Sequence, residues 1–239
     1  MPFTVVTAPG ANPARQVVSP ATVVQRAQRG GNPNAALGLA YTDPIITIDQ
    51  TALQYRQRQG VAGVEFSFDT GTLRLTLRQD MPISNTLSAC AQQKWAGHET
   101  GHVTDNQQVM TQMDAAIRAD PTLQAIFLNQ NWYPRSAFQP TQQTIFNTIS
   151  AIFRRLTGQA VARRDTRVEY MRVHRDVLQN CPEPYIYEVN RGDTLSRIAD
   201  FFYGRPSAFT TIHRVNLSVI GSDANLIRPG QLLRIPRTP

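Results

Sequence analysis

Several residue types and patterns are scarce in this sequence, and each scarcity narrows what the chain can be. The 239 residues include only two cysteines and four histidines, and Lys94 is the only lysine among 24 basic side chains. No apolar run approaches the roughly 20 residues that a membrane-spanning helix needs. We therefore expect no membrane span, and any metal site must draw on a very small set of histidines.

The first residues, MPFTVVTAPGANPARQ, lack a basic segment followed by an apolar core. That pair of features marks a secretory signal. We therefore expect synthesis in the cytoplasm without a cleaved signal, followed by assembly into a particle if the protein acts outside the cell. In the cytoplasm, Cys90 and Cys181 would be expected to be free thiols.

Composition indicates a globular chain, with 41% hydrophobic and 17% charged residues. The net charge is +7 and the sequence pI is about 10.0. Arginines cluster in one predicted helical region, at Arg154, Arg155, Arg163, Arg164, Arg167, Arg172 and Arg175. Aromatic residues do not interleave with them as a nucleic-acid stacking surface requires. We interpret them as a solvated helix face and expect no nucleic-acid partner.

The distribution of patterns predicts an α+β chain. Strand-like runs occupy residues 44–49, 64–69 and 73–78, and the DTGT between the last two predicts a hairpin turn. Helical segments are predicted over 85–119, 122–130 and 144–179, the first ending near Asp120-Pro121. The domain prediction is an N-terminal arm (1–40), an α+β domain (41–180), a stiff linker (181–185) and a C-terminal module (186–236).

The stretch WAGHETGHVTD contains His98, Glu99 and His102 in the order His-Glu-x-x-His. Residues four apart share a helix face, so both imidazoles can bind one Zn²⁺. Glu99 would then accept a proton from the metal-bound water. The alternative is a chance occurrence of the spacing on a structural helix.

His174 is the predicted third zinc ligand, with Glu169 as the competing residue and a surface histidine among arginines as the alternative for His174. Tyr170 is a candidate oxyanion donor.

Cys90 precedes His98 by eight residues, and Cys181 follows His174 by seven. If the two helices are antiparallel with their histidines facing, both cysteines lie about two turns away on the same side. We therefore predict a buried thiol pair or a disulfide.

The C-terminal 50 residues carry a distinct pattern. Short strands at YEV and LLRIP flank two segments whose apolar residues recur at helical spacing, and Asp193-Thr194 can cap the first helix. The unit resembles a LysM domain at these positions: Tyr187, Val189, Gly192, Asp193, Thr194, Leu195, Ile198, Ala199, Tyr203, Gly204, Ile212, Asn216, Ile227, Pro229, Gly230, Gln231, Leu233, Ile235 and Pro236.

The LysM resemblance implies binding of N-acetylglucosamine-containing glycans such as peptidoglycan or chitin. It places the groove between two loops, at Gly192, Asp193, Thr194 and Leu195 and at Asn225, Leu226, Ile227 and Arg228. The first three of these residues also suit a tight turn followed by a helix cap. Some LysM modules bind protein partners instead.

Residues 40–180 resemble predicted bacterial zinc peptidases of the zincin type, in which HExxH follows a small sheet and a later helix supplies a histidine. The length of the chain and its C-terminal LysM pattern resemble baseplate proteins of phage tails and contractile injection systems.

Three functions follow from these resemblances. The first is a structural adaptor with a zincin-like domain, whose partners would be tail tube, hub or sheath proteins. The second is a zinc metallopeptidase directed to peptidoglycan. The third is a carbohydrate-binding protein with an inert N-terminal domain.

Overall fold

The chain folds into a mixed α+β structure, as the sequence predicts. This computed structural model describes residues 3–29, 39–49, 53–128, 131–189 and 191–238. Contacts divide the chain into two compact units. Unit 1 comprises Met1–Pro13, Pro44–Gln79 and His102–Ala162, and unit 2 comprises Ala14–Asp43, Asp80–Gly101 and Arg163–Pro239.

The described residues form strands and α-helices, and both kinds of element range from a few residues to more than twenty. The strands are β1 (Phe3–Ala8), β2 (Arg15–Val18), β3 (Asp43–Asp49), β4 (Leu53–Gly60), β5 (Gly63–Ser84), β6 (Tyr133–Pro134), β7 (Tyr185–Glu188) and β8 (Leu232–Ile235). The helices are α1 (Pro20–Arg29), α2 (Ala89–Ala119), α3 (Pro121–Leu128), α4 (Phe138–Arg164), α5 (Arg167–Asn180), α6 (Leu195–Tyr203), α7 (Phe209–Val215) and α8 (Leu217–Ile220).

Unit 1 is built around β5. Strand β1 pairs with it in parallel, and β4 and β6 pair with it antiparallel. Leu73, Leu75 and Leu77 alternate with exposed residues, which is the pattern of a strand with one buried face. That face meets the apolar sides of three helices, through Met110, Met113, Ile117, Leu123, Phe127, Ile145, Ile149 and Ile152. The hydrophobic core of unit 1 therefore lies between the sheet and α2, α3 and α4.

The hairpin predicted at DTGT is wrong. Residues 64–69 and 73–78 belong to one continuous strand, and the turn lies earlier, at residues 61–62 between β4 and β5. Gly71 is where β5 changes partners: Leu53 of β4 and Phe3 of β1 both pair with it. Its φ of 122° is accessible to glycine and strained for other residues. The glycine therefore lets the strand continue into a new pairing, where the prediction assumed a reversal.

Regular structure also occurs where the sequence predicts an N-terminal arm. Residues 3–8 and 15–18 form strands and 20–29 form a helix, whereas residues 1–2 and 30–38 of the predicted arm lie outside the described residues. In unit 2, Val23, Ala27 and Tyr41 form a small cluster, and β2 pairs in parallel with residues 81–84 of β5. Much of the predicted arm thus belongs to the folded body.

The C-terminal module belongs to unit 2. Strands β7 and β8 pair antiparallel, with α6, α7 and the short α8 between them. Asn216 holds α7 to β8, because its amide donates to the carbonyls of Ile212 and Arg234 and its oxygen accepts from the Arg234 N–H, all over 2.8 Å. The predicted strand–helix–helix–strand order is confirmed.

Within the described ranges, we find no helix with the length and apolar character needed to cross a bilayer.

Candidate metal centre and C-terminal module

The HExxH residues lie on α2, as the sequence predicts. His98, Glu99 and His102 are 5%, 4% and 6% exposed, respectively. One ligand atom from each lies within 4.8 Å of the others. Two imidazoles one helical turn apart beside a carboxylate are a donor set that suits zinc. Neither His174 nor Asp165 belongs to this three-residue group.

Glu99 is held by a residue far away in the sequence. The Thr42 hydroxyl donates to Glu99 Oε2 over 2.7 Å and lies 3.1 Å from the backbone carbonyl oxygen of Glu99. Both side chains are buried. The carboxylate is thereby oriented at its helix position, which is what a general base needs.

A second carboxylate, not predicted from the sequence, approaches His98. Asp165, between α4 and α5, places Oδ1 3.3 Å from His98 Nε2, and the two side chains are 4% and 1% exposed. Tyr170 hydrogen-bonds Asp165, and burial together with the negative charges of Asp165 and Glu99 raises the pKa of Tyr170. The phenol therefore stays protonated, with its proton directed at Asp165. No motif in the sequence marks Asp165, which immediately precedes the N-cap Thr166 of the helix that carries His174.

Glu169, the competing third ligand, faces the other nitrogen of His98. Its Oε1 lies 3.6 Å from His98 Nδ1. Arg172 also holds the same carboxylate through two contacts, Nε to Oε2 at 2.9 Å and Nη2 to Oε1 at 2.6 Å. The hydrogen bond from Arg172 is the main reason that the pKa of Glu169 is lowered.

His174 is fully buried, so its interpretation as a surface histidine is wrong. Its Nδ1 lies 2.7 Å from the Tyr185 hydroxyl. Its ring meets aromatic rings edge-on, with centroids 4.4 Å away at Phe201, 4.9 Å at Trp95 and 5.2 Å at Phe202. Burial and the nearby His98 lower the pKa of His174 to about 3, which keeps the ring neutral. Its Nε2 has no hydrogen-bond partner among the described residues.

Cys90 and Cys181 form a disulfide, so they are not the free thiols expected of a cytoplasmic chain. Their Cα atoms are 5.6 Å apart, within the range that a disulfide spans. The bond joins the beginning of α2 to the residue that follows α5. Displacements of about two helical turns from His98 and His174 predict this proximity.

The segment predicted as a linker, residues 181–185, contacts the module that follows it. Tyr185 of β7 and Phe201 and Phe202 of α6 surround His174 of α5. The Arg237 guanidinium returns to donate to the Cys181 carbonyl. The C-terminal module is therefore packed on α5, with no free tether between them.

The predicted groove residues lie on two loops at one end of the β7–β8 pair, since Glu188 pairs with Leu232. The Val189 carbonyl accepts from Gly230 N–H over 2.8 Å, which ties the two loops together. In the first loop, Gly192 has a φ of 88°, and the Thr194 side chain caps α6 by accepting from Arg197 N–H. Gly192 therefore forms the turn, and Thr194 forms the helix cap.

Both loops of the predicted groove have exposed residues, but the exposed large apolar side chain lies on the second loop. Leu195 is 3% exposed and belongs to the core of the module, whereas Leu226 is 56% exposed. Asp193 accepts from the Tyr187 hydroxyl over 2.7 Å and also lines a cavity of about 560 Å³ along α6. The other predicted groove residues do not line this cavity. Accessible apolar surface for a sugar therefore comes mainly from residues 225–228.

Comparison with known proteins agrees with the resemblance at the C-terminus. No curated protein and no solved structure matches this chain. Residues 187–236 match the LysM domain family, beginning one residue after the predicted boundary. Because LysM domains are associated with peptidoglycan and other N-acetylglucosamine glycans, the chain carries a C-terminal module of a glycan-binding type.

Proposed function

We propose that this protein binds N-acetylglucosamine-containing glycans, peptidoglycan among them, through its LysM module. The observation that carries the proposal is the LysM match over the whole module, whose second loop exposes Leu226. An exposed apolar side chain beside backbone amides suits the alternating apolar and polar surface of a sugar.

Sedimentation of the full chain with insoluble peptidoglycan and with chitin tests glycan binding. Leu226→Asp should reduce the bound fraction by about tenfold or more, because a charge replaces apolar contact area. Val61→Asp, in the exposed β4–β5 turn, is the matched control and should bind as the wild type does. Failure of the wild type to sediment with either polymer would overturn this function and leave a protein partner as the ligand.

We also propose that His98 and His102 bind Zn²⁺, with Glu99 as general base of a peptidase. The support is the donor set itself: two buried imidazoles and a carboxylate with ligand atoms within 4.8 Å of one another. Bound Zn²⁺ lowers the pKa of a coordinated water to about 7 and polarises a carbonyl. With the metal bound, Glu99, oriented by Thr42, would accept a proton from the attacking water and donate it to the leaving amine. The sequence prediction for the third ligand is His174.

Metal analysis of the purified full chain tests the zinc site. We expect one zinc per chain in the wild type and loss of the metal in His98→Ala and His102→Ala. Glu99→Gln should retain zinc and lose peptidase activity, by about a hundredfold or more since general-base catalysis is removed. A wild type without zinc after purification free of chelators would overturn the enzyme function.

The setting we propose for both activities is a phage-tail-like contractile injection system, with the protein made in the cytoplasm and assembled into the baseplate with tube, hub or sheath proteins. The support is the C-terminal LysM module, together with the packing of Phe201 and Phe202 on His174, which suits a rigid building block. Gradient sedimentation of the tagged native protein tests this setting. A baseplate component should migrate with the particles, whereas a peptidase targeted to the wall should remain in the soluble or wall fraction.

A further inference from the structure

We propose that Asp165 is the third protein ligand of the zinc site, in place of His174. This inference rests on the proposed zinc site at His98 and His102 and names the residue that completes it. It assigns a ligand role to a residue that no motif marks, at the break between α4 and α5.

The distance between His98 and Asp165 carries the inference. Donor atoms bonded to one tetrahedral Zn²⁺ at about 2.0–2.2 Å are roughly 3.3–3.6 Å from each other. His98 Nε2 and Asp165 Oδ1 are 3.3 Å apart. The two atoms therefore already have the separation that two ligands of one zinc ion require.

Burial makes a cation between these groups favourable. The Asp165 side chain is 4% exposed and Glu99 is equally buried. A buried carboxylate carries a large desolvation cost unless hydrogen bonds or a cation stabilise its charge. Burial is the main reason that the pKa values of Tyr41 and Tyr170 are raised, and the negative charges of Asp165 and Glu99 raise both further. The two charges therefore act on the same surroundings. A divalent cation at the histidines would neutralise this local negative charge.

The neighbours of the two proposed ligands are arranged as an outer shell. A metal-bound histidine commonly directs its second nitrogen at a carboxylate, which sets the tautomer and the ring orientation. Glu169 occupies that place, 3.6 Å from His98 Nδ1, and Arg172 holds it there. Tyr170 fills the corresponding position at Asp165. Glu169 is thus a positioning residue, with its own partner in Arg172.

The surroundings of His174 suit a structural residue. Its Nδ1 is engaged by Tyr185, and rings from Trp95, Phe201 and Phe202 pack against it edge-on. Removing the imidazole would therefore disturb the packing of the LysM module on α5. We expect replacements at His174 to change the stability of the fold more than the affinity for zinc.

Zinc affinity of the full chain, measured by chelator competition, separates the candidates. Asp165→Asn keeps the side-chain size and should weaken zinc binding by more than about a hundredfold, beyond the 10–100-fold typical of an outer-shell residue. Asp176→Asn, an acidic residue of α5 paired with Lys94, is the matched control and should leave affinity unchanged. Unchanged affinity in Asp165→Asn would mean that the His98–Asp165 contact is an ion pair only, and would overturn the inference.

A spectroscopic readout distinguishes direct ligation from an effect through the fold. The Asp165→Cys variant loaded with Co²⁺ should show thiolate-to-cobalt charge-transfer absorption in the near ultraviolet, because a thiolate at this position would bond to the metal. Cobalt bound without that absorption would contradict ligation at this position.

A His174→Gln variant completes the comparison. Retained zinc affinity with a lowered melting temperature is the expected result. Loss of zinc with an unchanged circular dichroism spectrum and melting temperature would assign the ligand to His174 and overturn our proposal for Asp165. A wild type that binds no zinc would overturn the zinc site and this inference together, whereas a zinc-binding wild type unaffected by Asp165→Asn would overturn the inference alone.

Discussion

At the scale of single residues, buried polar side chains in this protein have distinct tasks that their sequence context does not reveal. Asn216 satisfies three backbone groups and closes the LysM module. Thr42 orients Glu99, and Tyr185 engages His174. Each makes short, directed hydrogen bonds away from water, where the loss of one partner leaves the other unsatisfied. We therefore expect single substitutions at such residues to lower the free energy of unfolding strongly.

Asn216→Ala should lower the free energy of unfolding of the module by about 2–4 kcal/mol, because three buried backbone partners lose their hydrogen bonds. Urea denaturation monitored by tyrosine fluorescence and circular dichroism measures the change. Ser218→Ala, at an exposed position nearby, is the control and should stay within about 0.5 kcal/mol of the wild type. Equal effects of the two substitutions would contradict the role of Asn216.

At the scale of elements, β5 and the α2–α5 pair depend on connections between distant parts of the chain. Strand β5 continues through Gly71 because β4 pairs with residues 63–71 and β1 pairs with residues 71–76. The beginning of α2 is fastened to the end of α5 by the Cys90–Cys181 disulfide. The change of pairing partners at Gly71 and the disulfide both fix the positions of long elements, which local propensity alone would not fix.

Two glycine-to-alanine substitutions should have opposite signs. Gly71→Ala should destabilise the protein by about 1–3 kcal/mol, because a φ of 122° is strained for any residue with a Cβ. Gly158→Ala, in the exposed interior of α4 where a Cβ meets nothing within 4 Å, should stabilise it by about 0.5–1 kcal/mol. Thermal melts of both variants beside the wild type provide the measurement. Stabilisation by Gly71→Ala would show that β5 bends elsewhere.

Loss of the disulfide should cost about 2–4 kcal/mol, toward the upper end because the bond closes a loop of 91 residues. The comparison is a denaturant titration of the wild type with and without reductant, and of the double variant Cys90→Ser, Cys181→Ser. Reductant should destabilise the wild type and leave the double variant unchanged. A reductant-insensitive wild type would indicate that the thiols are not bonded in solution.

At the scale of the whole molecule, the proposed metal and the fold are thermodynamically linked. A ligand that binds only the native state stabilises it by about 2.7 kcal/mol at a hundred times its dissociation constant. Removal of zinc by a chelator should therefore lower the melting temperature of the wild type by about 5–10 °C. The His98→Ala variant should melt lower from the start and should not respond. An equal response of both proteins would mean that the chelator acts at another site.

The sequence alone was sufficient for features that local periodicity and spacing determine. The α+β class, the continuity of α2 through HExxH and the order of elements in the LysM module follow from patterns within short windows, since neighbours on a helix or strand are set by its geometry. The closeness of the two cysteines required only two helices and an assumed antiparallel arrangement. The hairpin prediction at DTGT was wrong because a turn motif can also lie within a strand that changes pairing partners.

Tertiary structure alone decided which distant groups surround the histidines. Nothing within a short window indicates that Thr42 reaches Glu99, that Asp165 approaches His98 Nε2 or that Glu169 faces Nδ1 of the same ring. The position of His174 in the sequence suggests a metal ligand. It does not reveal the aromatic rings from β7 and α6 that surround the side chain. These environments depend on how separate elements pack, and side-chain spacing along the chain carries no direct information about packing between elements.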